Sequence, residues 1–428
     1  MFRKPEILSP AGNPEKLEAA VRFGADAVYL AGREFGMRAA ADNFSLEELA
    51  HAARFLHERG KKMYLTVNTL PHGDEYPRLR DYLLSLDGIR PDGFIVADLG
   101  VFTLIQELLP WAQLHISTQA SICSPQAARA WVALGASRLV LARELTFPEI
   151  REIRAAVPET IELEAFVHGS MCVSYSGRCM LSNHLVGPET DANRGACTQP
   201  CRWNYTLIEE KRPDERIPVE ETPQGTFIMS SKDMNMLDHV GELCDAGVTS
   251  FKIEGRIKSA YYASVVTNAY RIAVDNLCDF VTAGGSAMDY VPDPALQREL
   301  EAVSHREYCT GFYYDKPTQN AQLVTKPGYV RDKAYLAVAS GSVLQNADGS
   351  VRTDADGNPY CGFTQRNKLR PGDRVELLHP GNTARAFTVT SLLDAEGNPL
   401  EATPHPLMPY YMPVPFDVHE NDIVRAGD

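Results

Sequence analysis

The sequence of 428 residues contains no run of about 18 apolar residues, and its N-terminal segment has no apolar core of the length found in secretory signals. Both absences argue against a membrane span and predict a cytoplasmic protein. Positive charge is also scarce, with 42 Lys and Arg against 56 Asp and Glu and a formal net charge of −14. Because phosphate binding relies on Lys and Arg, this balance excludes a protein that grips nucleic acid over its whole surface, but not one with a local basic patch.

Motifs of several enzyme classes are missing as well. The sequence has neither G-x-G-x-x-G nor G-x-x-x-x-G-K-[ST], the Gly-rich loops that bind phosphates. It also lacks the H-E-x-x-H pair of zinc proteases and the G-x-S-x-G turn of serine hydrolases. Proteolysis therefore has little support from motifs. A catalytic pair of Cys172 and His168 is not excluded, but a cysteine that serves as a ligand of a metal cluster is not free to act as a nucleophile.

One supersecondary unit recurs between residues 6 and 277: a helical pattern that ends in Gly and is followed by a short apolar run. Gly suits the left-handed residue that closes a helix, and β-branched runs suit strands buried on both faces. The predicted strands are Ile7-Leu8, Ala27 to Leu30, Met63 to Val67, Phe94 to Ala97, Leu114 to Ser117, Leu139 to Leu141, Leu163 to Val167 and Phe251 to Ile253. Eight strands that alternate with helices are typical of an α/β fold of the (β/α)₈ TIM-like barrel type. A doubly wound open sheet is the second interpretation, although it would more often carry a Gly-rich phosphate loop.

Three parts are predicted along the chain. Residues 1–280 form the barrel, and a Cys-rich insertion of about residues 169–248 between its seventh and eighth strands should lie over the barrel mouth. Residues 281–332 are a linker and helical extension. From residue 333 to 428 short strands alternate with Gly- and Pro-containing turns, which predicts a small C-terminal β-barrel.

Polar residues follow nearly every predicted barrel strand, at the end where barrel enzymes place their active sites. The candidates for catalysis or substrate binding are Asn68, Gln119, Arg143, His168, Glu254, Arg256 and, if its side chain points inward, Lys252. Arg256 offers two parallel donors to a carboxylate or phosphate. His168 is either a general acid or base, or a histidine hydrogen-bonded within the barrel wall.

Nine cysteines in a chain without export signals are not expected to form disulfides, least of all as an odd number. Four of them lie within 30 residues, as Cys172-x₆-Cys179 and, after 17 further residues, Cys197-x₃-Cys201. Only the second pair has zinc-like spacing, whereas a [4Fe–4S] cluster tolerates wider spacing; buried free thiols are the alternative. Cys244 is a core residue or a substitute ligand. The isolated cysteines Cys123, Cys278, Cys309 and Cys361 are expected to be packing residues.

Several segments resemble the peptidase U32 (collagenase-like) family. They are residues 8–12 (LSPAG), 24–29 (GADAVY), 164–172 (EAFVHGSMC), 174–182 (SYSGRCMLS), 195–203 (GACTQPCRW), 231–233 (SKD), 252–256 (KIEGR), 304–306 (SHR) and 311–312 (GF). The resemblance covers residues 6 to about 277 and continues into the last part of the chain, which is similar to the U32 C-terminal β-barrel.

This resemblance implies a function and a ligand set. Some members of the family are proteases or collagenases, whereas others are oxygen-independent hydroxylases that carry a [4Fe–4S] cluster and act on transfer RNA, ribosomal RNA or a ubiquinone precursor. The chain is most similar to the branch that forms 5-hydroxyuridine at the tRNA wobble position and depends on prephenate. The resemblance then implies that Cys172, Cys179, Cys197 and Cys201 bind the cluster.

A tRNA substrate gives a role to Arg202 and Trp203, which could stack on or contact a flipped base; a packing Trp beside a surface Arg is the alternative. Two other functions stay open at this point. One is a U32-type peptidase, and the other is an RNA-binding chaperone that acts through the C-terminal module.

Overall fold

The protein is described by a computed structural model that covers residues 2–37, 42–172, 177, 179, 181–203, 208–209, 212–216, 221–222, 225–226, 231–314, 330 and 333–428. The chain divides into two compact units. The first contains Met1–Pro292 and His305–Val330, and the second contains Asp293–Ser304 and Arg331–Asp428. The predicted boundaries differ from these, because the segment taken as a linker is shared between the two units.

The first unit is built from alternating strands and helices. In chain order they are β1 (Glu6–Pro10), α1 (Pro14–Arg22), β2 (Ala27–Ala31), α2 (Leu46–His57), β3 (Lys62–Val67), α3 (Tyr76–Ser85), β4 (Gly93–Val96), α4 (Leu99–Leu108), β5 (Leu114–Ile116), α5 (Pro125–Ala133), β6 (Arg138–Val140), α6 (Phe147–Ala156) and β7 (Glu162–Ser170). The insertion follows with α7 (Leu181–Leu185), β8 (Ile208–Glu209), β9 (Arg212–Arg216), β10 (Glu221–Thr222) and β11 (Gly225–Thr226). The unit ends with β12 (Asp233–Asn235), α8 (Val240–Asp245), β13 (Ser250–Ile253), α9 (Ala260–Thr282) and, after α10 (Pro294–Glu301) of the second unit, β14 (Tyr308–Cys309).

The strands of this unit close into a barrel. Strands β1 to β7 pair in sequence, each parallel to the next, and β13 pairs in parallel with both β7 and β1. The eight-stranded TIM-like barrel predicted from the sequence is therefore confirmed, and the open sheet is excluded. The Gly residues that were expected to close helices do so: Gly24, Gly135 and Gly247 have φ angles of 101°, 106° and 87°, in the left-handed region.

Two further strands, which the sequence did not predict, extend the sheet beside β7. Strand β12 runs antiparallel to β7, and β14 runs parallel to β12. Residues of β12 pair with His168, Gly169 and Ser170, so β7 continues three residues beyond its predicted end. Strand β12 is only three residues long and contains Asp and Asn, which gives it no strand-like pattern in the sequence.

A single arginine occupies the interior of the barrel. Arg138 on β6 is 1% exposed, and its guanidinium donates to Glu6 at 2.7 Å, Glu162 at 2.5 Å and Glu164 at 3.0 Å. It also donates to the hydroxyl of Tyr64 on β3 at 3.1 Å. Burial alone would lower the pKa of Arg138, but the surrounding carboxylates outweigh it and raise the pKa well above its usual value. One buried cation thus joins β1, β3, β6 and β7.

The second unit is an antiparallel half-barrel. Its strands are β15 (Tyr335–Val343), β16 (Tyr360–Gln365), β17 (Arg374–Leu378), β18 (Arg385–Thr388), β19 (Pro409–Pro413) and β20 (Ile423–Ala426), in the spatial order β18-β17-β20-β15-β16-β19. Arg425 on β20 makes two hydrogen bonds to Glu299, at 2.8 and 2.9 Å, and so fixes α10 to this sheet. The small C-terminal β-domain expected from the turn pattern is present, although β18 and β19 are not paired within the described residues.

The helices that the structure describes include none long and apolar enough to cross a membrane.

We predict that Arg138→Ala destabilises the first unit by about 3–5 kcal/mol, because it leaves buried carboxylates without their cation. All three tryptophans, Trp111, Trp131 and Trp203, belong to this unit, so their fluorescence during urea unfolding reports on it alone. The matched control is Arg80→Ala, which removes an exposed pair with Glu107 at 3.1 Å and should cost less than about 1 kcal/mol. Equal urea midpoints for the two variants would contradict this role for Arg138.

Candidate functional site: a cysteine-lined cavity at the barrel mouth

A cavity lies at the carboxyl ends of the barrel strands. One side of it is formed by residues that follow or end these strands: Tyr29, Thr66, Asn68, Ile95, Ser117, Thr118, Gln119, Arg143, Phe166, Lys252, Glu254 and Arg256. The other side is formed by the insertion, through Cys172, Gly177, Cys179, Leu181, Ala192, Gly195, Cys197, Pro200 and Cys201. The structure therefore brings the four clustered cysteines together with six predicted mouth residues, which are Asn68, Gln119, Arg143, Lys252, Glu254 and Arg256.

Glycines allow the insertion to approach the barrel this closely. Gly177 has a φ angle of +70°, and a Cβ atom there would lie 2.3 Å from the carbonyl oxygen of Gln119. Gly169, at the end of β7, has a φ angle of +105°, and its Cβ would lie 2.5 Å from the carbonyl oxygen of Glu254. Any other residue would clash with backbone at both places, so the two glycines set the distance between the insertion and the mouth.

An ion pair also holds the insertion to the barrel. Arg194 in the insertion donates both of its terminal nitrogens to Glu75, each at 2.9 Å, and one of them also contacts the carbonyl oxygen of Leu70. Hydrogen bonds from Arg194 lower the pKa of Glu75 to about 2, so this carboxylate stays charged. Sequence analysis missed this pair, because the two residues are 119 positions apart and no motif connects them.

The positions of the four sulfur atoms bear on the two kinds of metal centre considered from the sequence. Four thiolates around one zinc ion lie about 3.8 Å from one another, given Zn–S bonds of about 2.3 Å. All four cysteines are among the described residues, yet no three of their sulfur atoms lie within 4.8 Å of one another. The cavity-lining cysteines thus do not form a compact single-ion site. In a cluster each thiolate binds a different iron, so wider spacing is expected.

The environment of Cys197 suits a thiolate. The backbone N–H of Gln199 donates to its sulfur at 3.3 Å, and Gln199 adopts the left-handed conformation, with a φ angle of 58°, that turns this N–H toward the sulfur. Hydrogen bonds to cysteine sulfur are among the interactions that set the properties of metal-bound thiolates.

Two amides of the mouth orient each other. Asn68 accepts a hydrogen bond from the backbone N–H of Met37 at 3.1 Å, which leaves its amide nitrogen to donate to Gln119 at 2.8 Å. Gln119 lies on the short helical turn Thr118–Ala120 and also accepts from Ser117 at 3.4 Å. Both side chains are therefore fixed before any ligand binds.

The charged residues of the cavity are mostly cationic. Arg143 stacks on Phe166, with the guanidinium carbon 3.8 Å from the ring centre, and lies 3.6 Å from Glu254. Arg256 is 3% exposed and donates to Thr66 at 3.2 Å. Lys252 does point inward, as its use in a mouth site requires, but its ammonium group contacts Glu164 at 2.5 Å. Glu164 could have been noticed in the sequence, because it is a charged residue within an otherwise apolar strand.

His168 does not join this site, and its assignment to the end of a strand is wrong. It lies within β7, is 1% exposed and does not line the cavity. Its ring instead packs among Tyr262, Tyr270 and Tyr308. Burial lowers its pKa to about 3, so the imidazole is neutral at physiological pH. The wall interpretation of His168 is the one that the structure supports.

Cys244 is not placed to substitute for one of the four cysteines. It lies on α8, away from the cavity lining, and burial raises its pKa to about 12, which keeps it a thiol. Trp203 is 45% exposed and lies outside the cavity lining. The side chain of Arg202 lies outside the described residues, so its predicted substrate contact stays a prediction.

These features define a (β/α)₈ barrel with a cysteine-lined cavity at its catalytic end. The model of peptidase family U32 matches residues 12–323, and that of the peptidase family U32 C-terminal domain matches residues 346–425. The chain belongs to peptidase family U32.

Similar proteins in this family carry different names. The tRNA hydroxylation protein P1 of Bacillus subtilis (strain 168) is 35% identical over 425 residues, which cover 99% of this chain and 95% of that protein. The tRNA hydroxylation protein P of Escherichia coli (strain K12) is 32% identical over 457 residues, which cover 98% of this chain and 95% of that protein. A protein of Porphyromonas gingivalis (strain ATCC BAA-308 / W83) named collagenase is 31% identical over 341 residues, covering 77% of this chain and 78% of its own.

We predict that Glu75→Gln loosens the insertion, because the neutral amide loses the ion pair with Arg194. Loss of about 1 kcal/mol of interaction energy between the insertion and the barrel makes the population with a detached insertion roughly fivefold larger. The rate of tryptic cleavage within residues 171–232 measures that population, and Glu107→Gln, which removes a carboxylate from an exposed pair with Arg80, is the control.

The pH dependence follows from the lowered pKa of Glu75. A carboxyl group whose pKa is lower in the folded than in the unfolded protein stabilises the fold fully at pH values above its unfolded pKa. This stability is lost only as the pH falls through the folded pKa, which is about 2 for Glu75. The ratio of cleavage rates between variant and wild type should therefore be constant from about pH 6 to 8. Equal rates for E75Q and wild type would show that Arg194 and Glu75 do not hold the insertion.

Proposed function

We propose that the protein is an oxygen-independent RNA hydroxylase that forms 5-hydroxyuridine at the tRNA wobble position, with a [4Fe–4S] cluster bound by Cys172, Cys179, Cys197 and Cys201 and with prephenate as co-substrate. The observation that carries this proposal is that these four cysteines line the same cavity as the polar residues of the barrel mouth. The two relatives named tRNA hydroxylation proteins support it further, because they match the chain over nearly its whole length. We expect a protein with a tRNA substrate to act in the cytoplasm.

The donor set fits a cluster. Four thiolate ligands are the complete set for a [4Fe–4S] centre, in which each binds its own iron, and no three of these sulfur atoms lie within 4.8 Å of one another. A bound cluster would supply electron transfer that amino-acid side chains alone do not provide. Lys252, Arg143 and Arg256 add positive charge to the cavity wall, which favours an anionic centre.

The main argument against an RNA substrate is the net negative charge of the chain, and the charge of the cavity lining has the opposite sign. The chain has a net charge of −14, but the cavity lining contains three cationic side chains, Arg143, Lys252 and Arg256, against one carboxylate, Glu254. RNA binding depends on the charge where the backbone is held, and the mouth is not acidic.

Different residues of the mouth are suited to bind different parts of the substrates. The amides of Asn68 and Gln119 are oriented to hydrogen-bond the edge of an extruded uracil, which is how proteins read an unstacked base. Arg256 is suited to hold a carboxylate of prephenate or a phosphate through parallel N–H donors. Arg143, fixed between Phe166 and Glu254, supports the same wall.

The peptidase alternative finds less support in the cavity. The relative named collagenase shows that a proteolytic name exists in the family. However, no histidine lines the cavity among the described residues, and His168, the candidate partner of Cys172, is buried in the wall with a pKa of about 3. A cysteine nucleophile without a nearby base is poorly activated.

We predict that each of the variants C172A, C179A, C197A and C201A loses the cluster. Wild-type protein purified without oxygen should be brown and hold about four iron atoms per chain, and each variant should fall to near zero, because every thiolate binds its own iron. The control is C278A, which removes a cysteine from α9 outside the cavity lining and should keep its iron. Wild-type protein that stays colourless after anaerobic reconstitution would refute the cluster.

We predict that tRNA from a strain deleted for this gene lacks 5-hydroxyuridine derivatives and regains them with the wild-type gene. R256K should restore them about tenfold less well, because lysine keeps the charge but loses the parallel donors. R80A, which changes an exposed arginine on α3, should restore them fully. Nucleoside mass spectrometry of purified tRNA and ribosomal RNA measures the result. Unchanged tRNA together with a missing ribosomal nucleoside would move the substrate to ribosomal RNA, and no change in either would contradict RNA hydroxylation.

A further inference from the structure

Three metal-binding side chains converge in the half-barrel unit, which the function proposed above does not use. His379 directly follows β17, whereas His419 and Asp422 lie in the turn that leads into β20. Strands β17 and β20 are paired neighbours, with Leu378 opposite Ile423, so the chain brings the three side chains to one edge of the sheet.

Both imidazoles face the same carboxylate. Nδ1 of His379 lies 2.9 Å from one oxygen of Asp422, and Nδ1 of His419 lies 3.8 Å from the other. The ring centres are 4.6 Å apart, and one nitrogen or oxygen from each of the three residues lies within 4.8 Å of the others. Among the residues that the structure describes, this is the one such group of three or more His, Cys, Asp or Glu side chains.

The carboxylate is held in place by the fold. Asp422 is fully buried, and the backbone N–H of His419 donates to its Oδ2 atom at 2.8 Å. The backbone N–H of Asp422 in turn donates to the carbonyl oxygen of His419 at 3.1 Å, and Asn421 between them adopts a φ angle of 66°. The tight turn thus fixes the carboxylate relative to His419, and this kind of support orients ligands in metal sites.

We propose that His379, His419 and Asp422 form a zinc site, with the Nδ1 atoms of both imidazoles and the carboxylate of Asp422 as ligands. Two imidazole nitrogens and one carboxylate oxygen are a ligand set that Zn²⁺ accepts, and three protein ligands leave a fourth position for water. The histidine side chains are 37% and 60% exposed, so this position faces solvent. Each neutral imidazole would bind Zn²⁺ through Nδ1 as the tautomer that keeps its proton on Nε2, and the ion would tie the end of β17 to the turn before β20.

The site is chemically distinct from the cysteines of the first unit, which also attract zinc when they hold no cluster. Cobalt separates the two, because Co²⁺ bound to thiolates gives an intense sulfur-to-metal charge-transfer band, and Co²⁺ bound to nitrogen and oxygen ligands does not. A cobalt equivalent that binds without this band belongs to a site without cysteine.

The test uses full-length protein with its cysteine centre filled under anaerobic conditions, titrated with ZnCl₂ by calorimetry and with CoCl₂ by absorption. Wild type should bind one additional Zn²⁺ and one Co²⁺ without a thiolate band. His419→Ala, which removes the more exposed ring, and His379→Ala should each weaken this equivalent by about tenfold or more. His405→Ala removes another exposed histidine of the same unit and should bind as wild type does.

Circular dichroism of each variant checks that the half-barrel is folded. Because neither His379 nor His419 is buried, folded variants are expected, and two separate substitutions keep the test decisive. Equal zinc affinity of wild type, H379A and H419A would overturn the proposal. So would loss of the zinc equivalent in H405A, since the metal would then bind surface histidines without selection.

Discussion

The barrel depends on the burial of one guanidinium group among several carboxylates. Arg138 contacts Glu6 on β1 and Glu162 and Glu164 on β7, and so links the first and seventh strands of the barrel. Such a network is costly to break, because loss of Arg138 removes a buried cation from carboxylates that the barrel encloses, among them the fully buried Glu164. Glu164 is also the partner of Lys252, so the network extends from the barrel interior to the floor of the cavity. The contact with Glu164 therefore fixes the position of the Lys252 side chain at the floor of the cavity.

The site requires the insertion to remain on this rigid barrel, and local backbone geometry makes that contact. Gly177 and Gly169 let the insertion and the end of β7 come within a distance that a Cβ atom would forbid, while Arg194 joins the insertion to Glu75. Arg194 lies three residues before Cys197, so changing Glu75 is expected to loosen the segment that carries Cys197.

The sequence predicted the barrel because its signals are local. Most of the strands are short apolar runs preceded by a Gly such as Gly24 or Gly135, and the structure confirms all eight predicted strands. The added strand β12 escaped prediction because Asp233, Met234 and Asn235 have no strand-like pattern and become a strand only through pairing with β7. The last three residues of β7 pair with β12, which the sequence does not reveal, so the sequence predicted that His168 follows the strand and lies at the mouth. The four cysteines could be selected from their spacing, whereas pairs such as Arg194 with Glu75 depend on the folded chain.

Burial argues against four of the other five cysteines as metal ligands. A metal ligand must be a thiolate, and an apolar environment opposes loss of the proton. Burial raises the pKa of Cys244 to about 12 and that of Cys361 to about 11, and it also raises the pKa values of Cys278 and Cys309. Cys361 belongs to the hydrophobic core of the half-barrel. The four clustered cysteines instead line the cavity together with Arg143, Lys252 and Arg256, and the sulfur of Cys197 accepts a backbone N–H. Spacing in the sequence and position in the fold thus single out the same four residues.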